Sequence, residues 1–349
     1  MIKYLGSKRR LVAELGDLLT RSGATTALDL FTGTTRVAQE FCRRGAFTTT
    51  VDTASYSEVL AQCYVVTDAA TVDPAEVDEA LARLASLPDK RGYVTEVFAE
   101  RARYFHPANA QRIDAIRDGI DDLFPDGPLR PILLVALLEA ADAVDSTVGL
   151  QMAFLKQWAP RALRPLTLRA PVLTPGTGRA LRQDARQAVH DLPEVGLAYL
   201  DPPYNQHRYF TNYHVWETLV RWDAPAYYGL ACKRVDARSE ATKSDFNSRR
   251  RMPEALAGVI ARVRAEVVVL SFSDEGFLPV EALQEMLAVR GNPVAVLAYD
   301  TRRYIGSKIG VYSPDGQKVG TPAHSRNTEY LLVSAPADRP VVEAGPLRD

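Results

Sequence analysis

The stretch Val195-Gly196-Leu197-Ala198-Tyr199-Leu200 runs straight into Asp201-Pro202-Pro203-Tyr204. The apolar run reads as a buried strand of a parallel sheet. Two prolines then fix φ and remove two backbone donors, so the ladder must stop there. The result is a rigid turn at the carboxyl end of a central strand, the edge of an open α/β sheet where ligands bind. The turn presents one carboxylate, the carbonyls beside the prolines and one flat aromatic face. Such a set suits a planar base with an exocyclic amine. Asp201 and the Pro202 carbonyl can each accept an N–H from it, and Tyr204 can stack on the ring. A strand with a proline stop and an incidental acid is the bland alternative, and partners elsewhere in the chain weigh against it.

Ala27-Leu28-Asp29-Leu30-Phe31-Thr32-Gly33-Thr34-Thr35 is one such partner. An apolar strand enters a Thr-Gly-Thr turn, and a helix follows from Arg36 to about Arg44. Gly33 would let a ligand approach the backbone, as the first turn of a nucleotide-binding βα unit does. The pattern is not GxGxxG, so a dinucleotide pyrophosphate is not expected. Asp-x-Phe-x-Gly fits a ligand carrying an amine, a carboxylate and a ribose. Phe47 to Asp52 reads as a β-branched strand ending in an acid placed to bind ribose hydroxyls, or to cap the next helix. Leu166-Thr167-Leu168 reads as a short strand. Asp184, ahead of the central acid, can receive the amine of an adenine ring, or be a surface acid among arginines. At the start, Gly6 and Ser7 before an amphipathic pattern (Leu11, Leu15, Leu18, Leu19) offer free N–H groups to an anion, and Lys8 adds charge. An ordinary helix cap accounts for the same residues.

The 349 residues carry a net charge of −1, yet the distribution is uneven. Residues 68–145 are acidic and 233–251 basic, so an anionic partner is not excluded. Cys42, Cys63 and Cys232 match no metal spacing, and a reduced cytoplasmic protein is expected. His207 and His214 have no third ligand at a sensible spacing, so no metal is expected. The first residues lack an apolar core of signal-peptide length. Ile132 to Leu138 ends at Glu139 and is too short to span a membrane; it reads as a buried helix.

Helical periodicity dominates from about Val65 to Gln157, at Val77/Leu81/Leu84, Val94/Phe98/Ala102/Phe105 and Ile113/Ile116/Ile120. A crossover in a parallel sheet does not need such length, so 65–164 is expected to be an inserted helical subdomain between catalytic segments 1–64 and 165–349. Its acidity argues against broad phosphate contact, leaving Gln151, Lys156, Gln157 and Arg161 as candidates. Residues 225–255 form a basic loop with Lys233, Arg234, Arg238, Lys243, Arg249, Arg250 and Arg251, suited to phosphate and groove contact. Tyr209, Asn212 and Tyr213 place rings and an amide beside the central turn, which suits a base taken out of its stack. The chain closes with strands at Val267–Phe272, Val294–Tyr304 and Thr328–Ser334, a helix from Val280 to Val289 and a turn at Pro314-Asp315-Gly316.

Together these pieces resemble the amino-methylating DNA methyltransferases, in particular the adenine-specific Asp-Pro-Pro-Tyr class that includes the Dam-type enzymes. The likeness covers most of the chain. It implies an α/β fold, the Rossmann-like mixed sheet of S-adenosylmethionine-dependent methyltransferases, with seven strands and the last antiparallel. It identifies Asp201, Pro202, Pro203 and Tyr204 with the catalytic motif. Tyr4, Gly6, Ser7 and Lys8 resemble the family's N-terminal cofactor motif, where many relatives have Gly-Gly-Lys. Asp29, Phe31, Thr32, Gly33 and Thr34 resemble its S-adenosylmethionine loop, Asp52 the acid on the ribose, and Asp184 the acid near the cofactor adenine. Asn212-Tyr213-His214 and Ser271-x-Ser273-Asp274-Glu275-Gly276 are similar to segments that come after the catalytic motif. The resemblance implies methyl transfer to N6 of a flipped adenine in double-stranded DNA. A cognate restriction endonuclease, no membrane and a monomer complete the expectation. Alternatives are N4-cytosine methylation and a catalytically silent nucleic-acid-binding module. Ring-carbon methylation of cytosine needs a cysteine nucleophile, and no cysteine here sits in a Pro-Cys turn.

Overall fold

Apolar, β-branched runs form the strands. The computed structural model describes residues 2–6, 8–302, 311–312, 318–320, 326–339 and 341. Seven strands join one sheet: β1 (Thr26–Leu30), β2 (Phe47–Asp52), β3 (Gly178–Arg182), β4 (Val195–Leu200), β5 (Ala265–Ser273), β6 (Val294–Arg302) and β7 (Arg326–Ser334). Their order is β3-β2-β1-β4-β5-β7-β6. β1 to β5 run parallel, and β7 is antiparallel to both its neighbours. The winding reverses between β1 and β4, which opens a crevice at their carboxyl ends.

The α-helices among the described residues are α1 (Val12–Ser22), α2 (Arg36–Arg43), α3 (Ser55–Ala61), α4 (Pro74–Ala85), α5 (Pro107–Leu123), α6 (Leu129–Ala143), α7 (Ala185–Asp191), α8 (Tyr209–Asn212), α9 (His214–Arg221), α10 (Met252–Arg262) and α11 (Val280–Ala288). Strand alternation decides which layer each side chain meets. Leu28, Leu30, Ala198, Leu200, Val268 and Leu270 pack with α7, α10 and α11. Ala27, Leu197, Tyr199, Val267 and Val269 pack with α1 and α2 on the other face.

The helices of 65–164 do not keep a core to themselves. Leu84, Ile113, Ile116 and the run Ile132–Leu138 share one apolar cluster with Tyr56 and Leu60 of α3 and Trp216 and Leu219 of α9. α3 and α9 are further tied by Glu217, whose carboxylate accepts the N–H of Ser55 at 2.9 Å and of Tyr56 at 3.4 Å. It satisfies amides at an N-terminus whose own cap residue, Ala54, has no side-chain acceptor.

Residues 166–168 form no strand; the third strand is Gly178–Arg182 instead. It lies at the sheet edge and is only partly buried, so it carries no apolar alternation. A Cβ on Gly178 would come 2.1 Å from the Thr48 carbonyl, so this edge pairing depends on glycine. Ser7 and the turn expected at 314–316 lie outside the described residues. Among the described residues no helix is long and apolar enough to cross a membrane.

Candidate active site

β4 delivers Asp201 to the crevice, half-buried, with 19% of its side chain exposed. Its Oδ1 lies 3.2 Å from Lys8 Nζ. Lys8 is buried and also reaches Glu329 on β7 at 3.0 Å. Burial opposes charge on Lys8, but Asp201 and Glu329 outweigh it and hold the ammonium well above its ordinary pKa. Burial pushes Asp201 up to about 6, against the pull of Lys8 and with the push of Glu329. The Lys8 ammonium stands 5.4 Å from the ring centre of Tyr204. That ring leans on Phe272, with centroids 5.5 Å apart.

The turn after β1 is strained. Phe31, Gly33 and Thr35 all have positive φ, at 67°, 51° and 62°. Two of them are not glycine, a conformation that costs energy and clusters at functional sites. The buried Asp29 carboxylate accepts the Thr32 hydroxyl at 2.8 Å and the Ala38 N–H at 3.2 Å. Burial nevertheless raises its pKa to about 8, with Asp201 and Asp52 adding to the push.

Asp29 lines a small cleft of about 40 Å³ with Lys8, Thr34, Arg36, Tyr199 and Asp201. The Nε of Arg36 and the hydroxyl of Tyr199 are buried there without a hydrogen-bond partner among the described residues. Buried polar atoms are seldom left so. An acceptor at one wall and unsatisfied donors at others fit a zwitterionic amino-acid head. The cleft meets a cavity of about 440 Å³ walled by Tyr56, Asp52, Asp184, Phe31, Phe246 and Asn247. Phe31 meets Phe246 edge to face at 4.8 Å. Acids beside aromatic rings fit a nucleoside, so the two spaces together fit S-adenosylmethionine.

Residues 4–286 match the family profile described as D12 class N6 adenine-specific DNA methyltransferase. The chain belongs to this family. It is 27% identical over 300 residues to Type II methyltransferase M.NlaIII of Neisseria lactamica, covering 82% of this chain and 87% of that one. It is 26% identical over 329 residues to modification methylase LlaI of Lactococcus lactis subsp. lactis, covering 87% of this chain and 51% of that one. With Type II methyltransferase M.FokI of Planomicrobium okeanokoites it shares 26% over 320 residues, or 85% of this chain and 48% of that one. The chain therefore spans about half the length of the LlaI and FokI proteins. Among solved structures, precorrin-6y C5,15-methyltransferase from Geobacter metallireducens aligns at 11% identity and a TM-score of 0.32, over 96% of this chain and 93% of that one.

In this D12 methyltransferase several of the expected site residues also brace one another. Gly33 lines the small cleft, and Tyr4 packs over it so closely that a Cβ there would meet the Tyr4 ring at 3.1 Å. Tyr4 in turn stacks on Tyr213 at 4.5 Å and Tyr209 at 5.3 Å between centroids. Asp52 accepts the Gly33 N–H at 2.9 Å and the Ala54 N–H at 3.0 Å, so it braces the turn as well as facing the cavity. Asp184 caps α7 through the Arg186 N–H at 2.9 Å while facing the same cavity. Gly6 and Pro203 also line that cavity; Pro202 is buried.

The DNA-contact expectations divide. Asn212 and Tyr213 are buried, and the Asn212 carbonyl accepts the Gln151 N–H at 2.8 Å. Arg234 is buried too, gripping Asp223 through two bonds of 2.7 Å and Asp236 at 2.7 and 3.0 Å. Gln151 is buried, its side-chain carbonyl accepting the Val215 N–H at 2.9 Å. Arg161 is committed to Asp145 at 2.6 Å. These five are held by contacts within the chain. Arg238, Arg249, Arg250 and Arg251 are exposed, with Arg238 lying 3.7 Å over the Tyr228 ring and Arg251 at 2.7 Å from Asp245. Lys156 and Gln157 are exposed, Lys233 and Lys243 half-buried, and Tyr209 half-buried against the cavity. Sequence reasoning missed Tyr199, Arg36 and Glu329. Tyr199 lies near the end of β4, two residues before Asp201, and period-two alternation could have found it.

Proposed function

We propose that this chain transfers a methyl group from S-adenosylmethionine to the 6-amino group of adenine in a specific DNA sequence. The observation that carries the reading is the recessed carboxylate of Asp201, which lines both the cleft of Asp29 and the cavity of Asp52 and Asp184. Asp201 and the Pro202 carbonyl accept the two N–H bonds of the amine, and Tyr204 stacks on the ring. These contacts aim the nitrogen lone pair into the cleft. As that nitrogen forms its new bond it turns positive, so a fixed carboxylate favours the transition state over the ground state. The amine is itself the nucleophile, and no covalent adduct with the protein forms. The proton it sheds has Asp201 as its nearest acceptor. When bound, S-adenosylmethionine supplies an electrophilic methyl group on a positively charged sulfur. Asp29, Arg36 and Tyr199 hold its amino-acid end, and Asp52 and Asp184 its nucleoside end. A base inside a duplex cannot reach a recessed carboxylate, so the adenine is turned out of the helix.

In this reading 1–64 and 165–349 carry catalysis and cofactor binding, and 65–164 is an inserted helical unit that buttresses α3 and α9. Segment 225–255 contacts DNA through Arg238, Lys243 and Arg249 to Arg251. The relatives named as modification methylases support a role in restriction-modification; a cytoplasmic location, a cognate endonuclease and a monomeric state belong to the same proposal. The test is to incubate the protein with the cofactor and unmethylated genomic DNA, digest to nucleosides and assay methylated bases by mass spectrometry. N6-methyladenine is expected. N4-methylcytosine would reverse the choice of base, and no methylated base would remove DNA methylation as the activity.

A further inference from the structure

We infer that Glu329 is a positioning residue for Asp201, acting through Lys8. β7 runs antiparallel, so its opening residues come to the edge where β4 and β5 end, and Glu329 stands opposite Ser273 and Tyr299. The Lys8 ammonium lies 3.0 Å from Glu329 and 3.2 Å from Asp201. It is buried, so the two carboxylates share a charge that water cannot disperse. The family match ends at residue 286, so Glu329 lies outside the segment by which the family is recognised.

Two carboxylates and one ammonium leave the cluster with one negative charge in excess. A nitrogen turning positive beside Asp201 brings it to neutrality. Without Glu329, Lys8 would belong to Asp201 alone and neutralise the carboxylate that the amine needs. Glu329 draws Lys8 part-way off. After burial and the pull of Lys8, its charge is the next influence on Asp201, raising the pKa. The groups facing Asp201 are Lys8, Glu329, Tyr199, Tyr204, Asp29 and Tyr209.

The inference rests on Asp201 as the catalytic carboxylate, and the experiment separates the two. Asp201 is titrated in the free protein by ¹³C NMR of labelled aspartate carboxyls, its resonance assigned by its loss in Asp201→Asn. Glu329→Gln is expected to lower the midpoint by about one pH unit and Lys8→Met to raise it. Glu329→Asp returns most of the wild-type value. In Glu329→Gln, kcat falls about tenfold while the cofactor Kd stays within about twofold, and the acid limb of kcat/KM moves down with the NMR midpoint. A midpoint unmoved by Glu329→Gln, or moved the same way by both charge-removing variants, overturns the inference. A midpoint that moves while the acid limb does not would leave the hold of Glu329 on Asp201 standing and remove Asp201 from catalysis.

Discussion

The Asp29 carboxylate accepts the Thr32 hydroxyl at 2.8 Å, yet its pKa stands at about 8 because burial outweighs that bond. Below that value the cofactor-free protein holds Asp29 protonated. An incoming ammonium reverses the balance, so binding at pH 7 should release close to one proton. Calorimetry in buffers of different ionisation enthalpy measures this, and Asp29→Asn should release none while binding more weakly. The raised pKa also fixes a stability sign. The unfolded carboxyl ionises near 3.8 and the folded one near 8, so this group's contribution is lost as pH rises between them. The Tm of Asp29→Asn relative to wild type should climb across that window and level off above it. A flat difference would place the Asp29 pKa elsewhere.

Removing the central carboxylate separates chemistry from binding. Asp201→Ala should lower methyl transfer by about a thousandfold or more. Cofactor affinity should change little, since Asp29, Asp52 and Asp184 stay in place. Lys8 keeps Glu329 as an ion-pair partner, so the variant should fold. Transfer of labelled methyl to DNA and calorimetric titration with the cofactor decide this together. Normal turnover would end the assignment of Asp201.

The strand-turn units were legible because their apolar runs stop at residues with fixed backbone demands. β1 and β4 were read this way, β2 and β5 from their β-branched and apolar runs, along with Asp29, Asp52 and Asp201. The third strand was not, because Gly178–Arg182 is a partly buried edge strand with arginines among its few side chains. Segment 225–255 was read as a loop from its charge, but charge does not reveal direction. Arg234 looks like its neighbours in sequence and turns inward, because Asp223 and Asp236 wait on either side. Glu329 carried no local signal at all. Its place depends on β7 running antiparallel beside β5, a contact hundreds of residues from Lys8 in the chain.

The exposed arginines at 249 to 251 sit just ahead of α10. Neutralising all three should weaken DNA binding and lower the slope of log K against log salt by about two, since Arg251 already answers Asp245. Fluorescence anisotropy across a salt series reads the slope. An unchanged slope would take this segment out of the interface.

Arg234 should behave in the opposite way. Its guanidinium is 1% exposed and bonds Asp223 and Asp236, with Thr218 at 3.3 Å. Removing it leaves two carboxylates short of their counter-charge and a cavity beside α9. Arg234→Ala should cost about 3 kcal/mol of stability, the scale for breaking a buried ion pair from one side. The two aspartates keep access to water and to Arg221, which reaches Asp223 at 2.9 Å and Asp236 at 3.2 Å, so the loss should stay near that scale. Urea denaturation measures it. The DNA salt slope of the folded fraction should match wild type, because a buried cation releases no counterion from the duplex. A lowered slope with unchanged stability would return Arg234 to the DNA-facing surface.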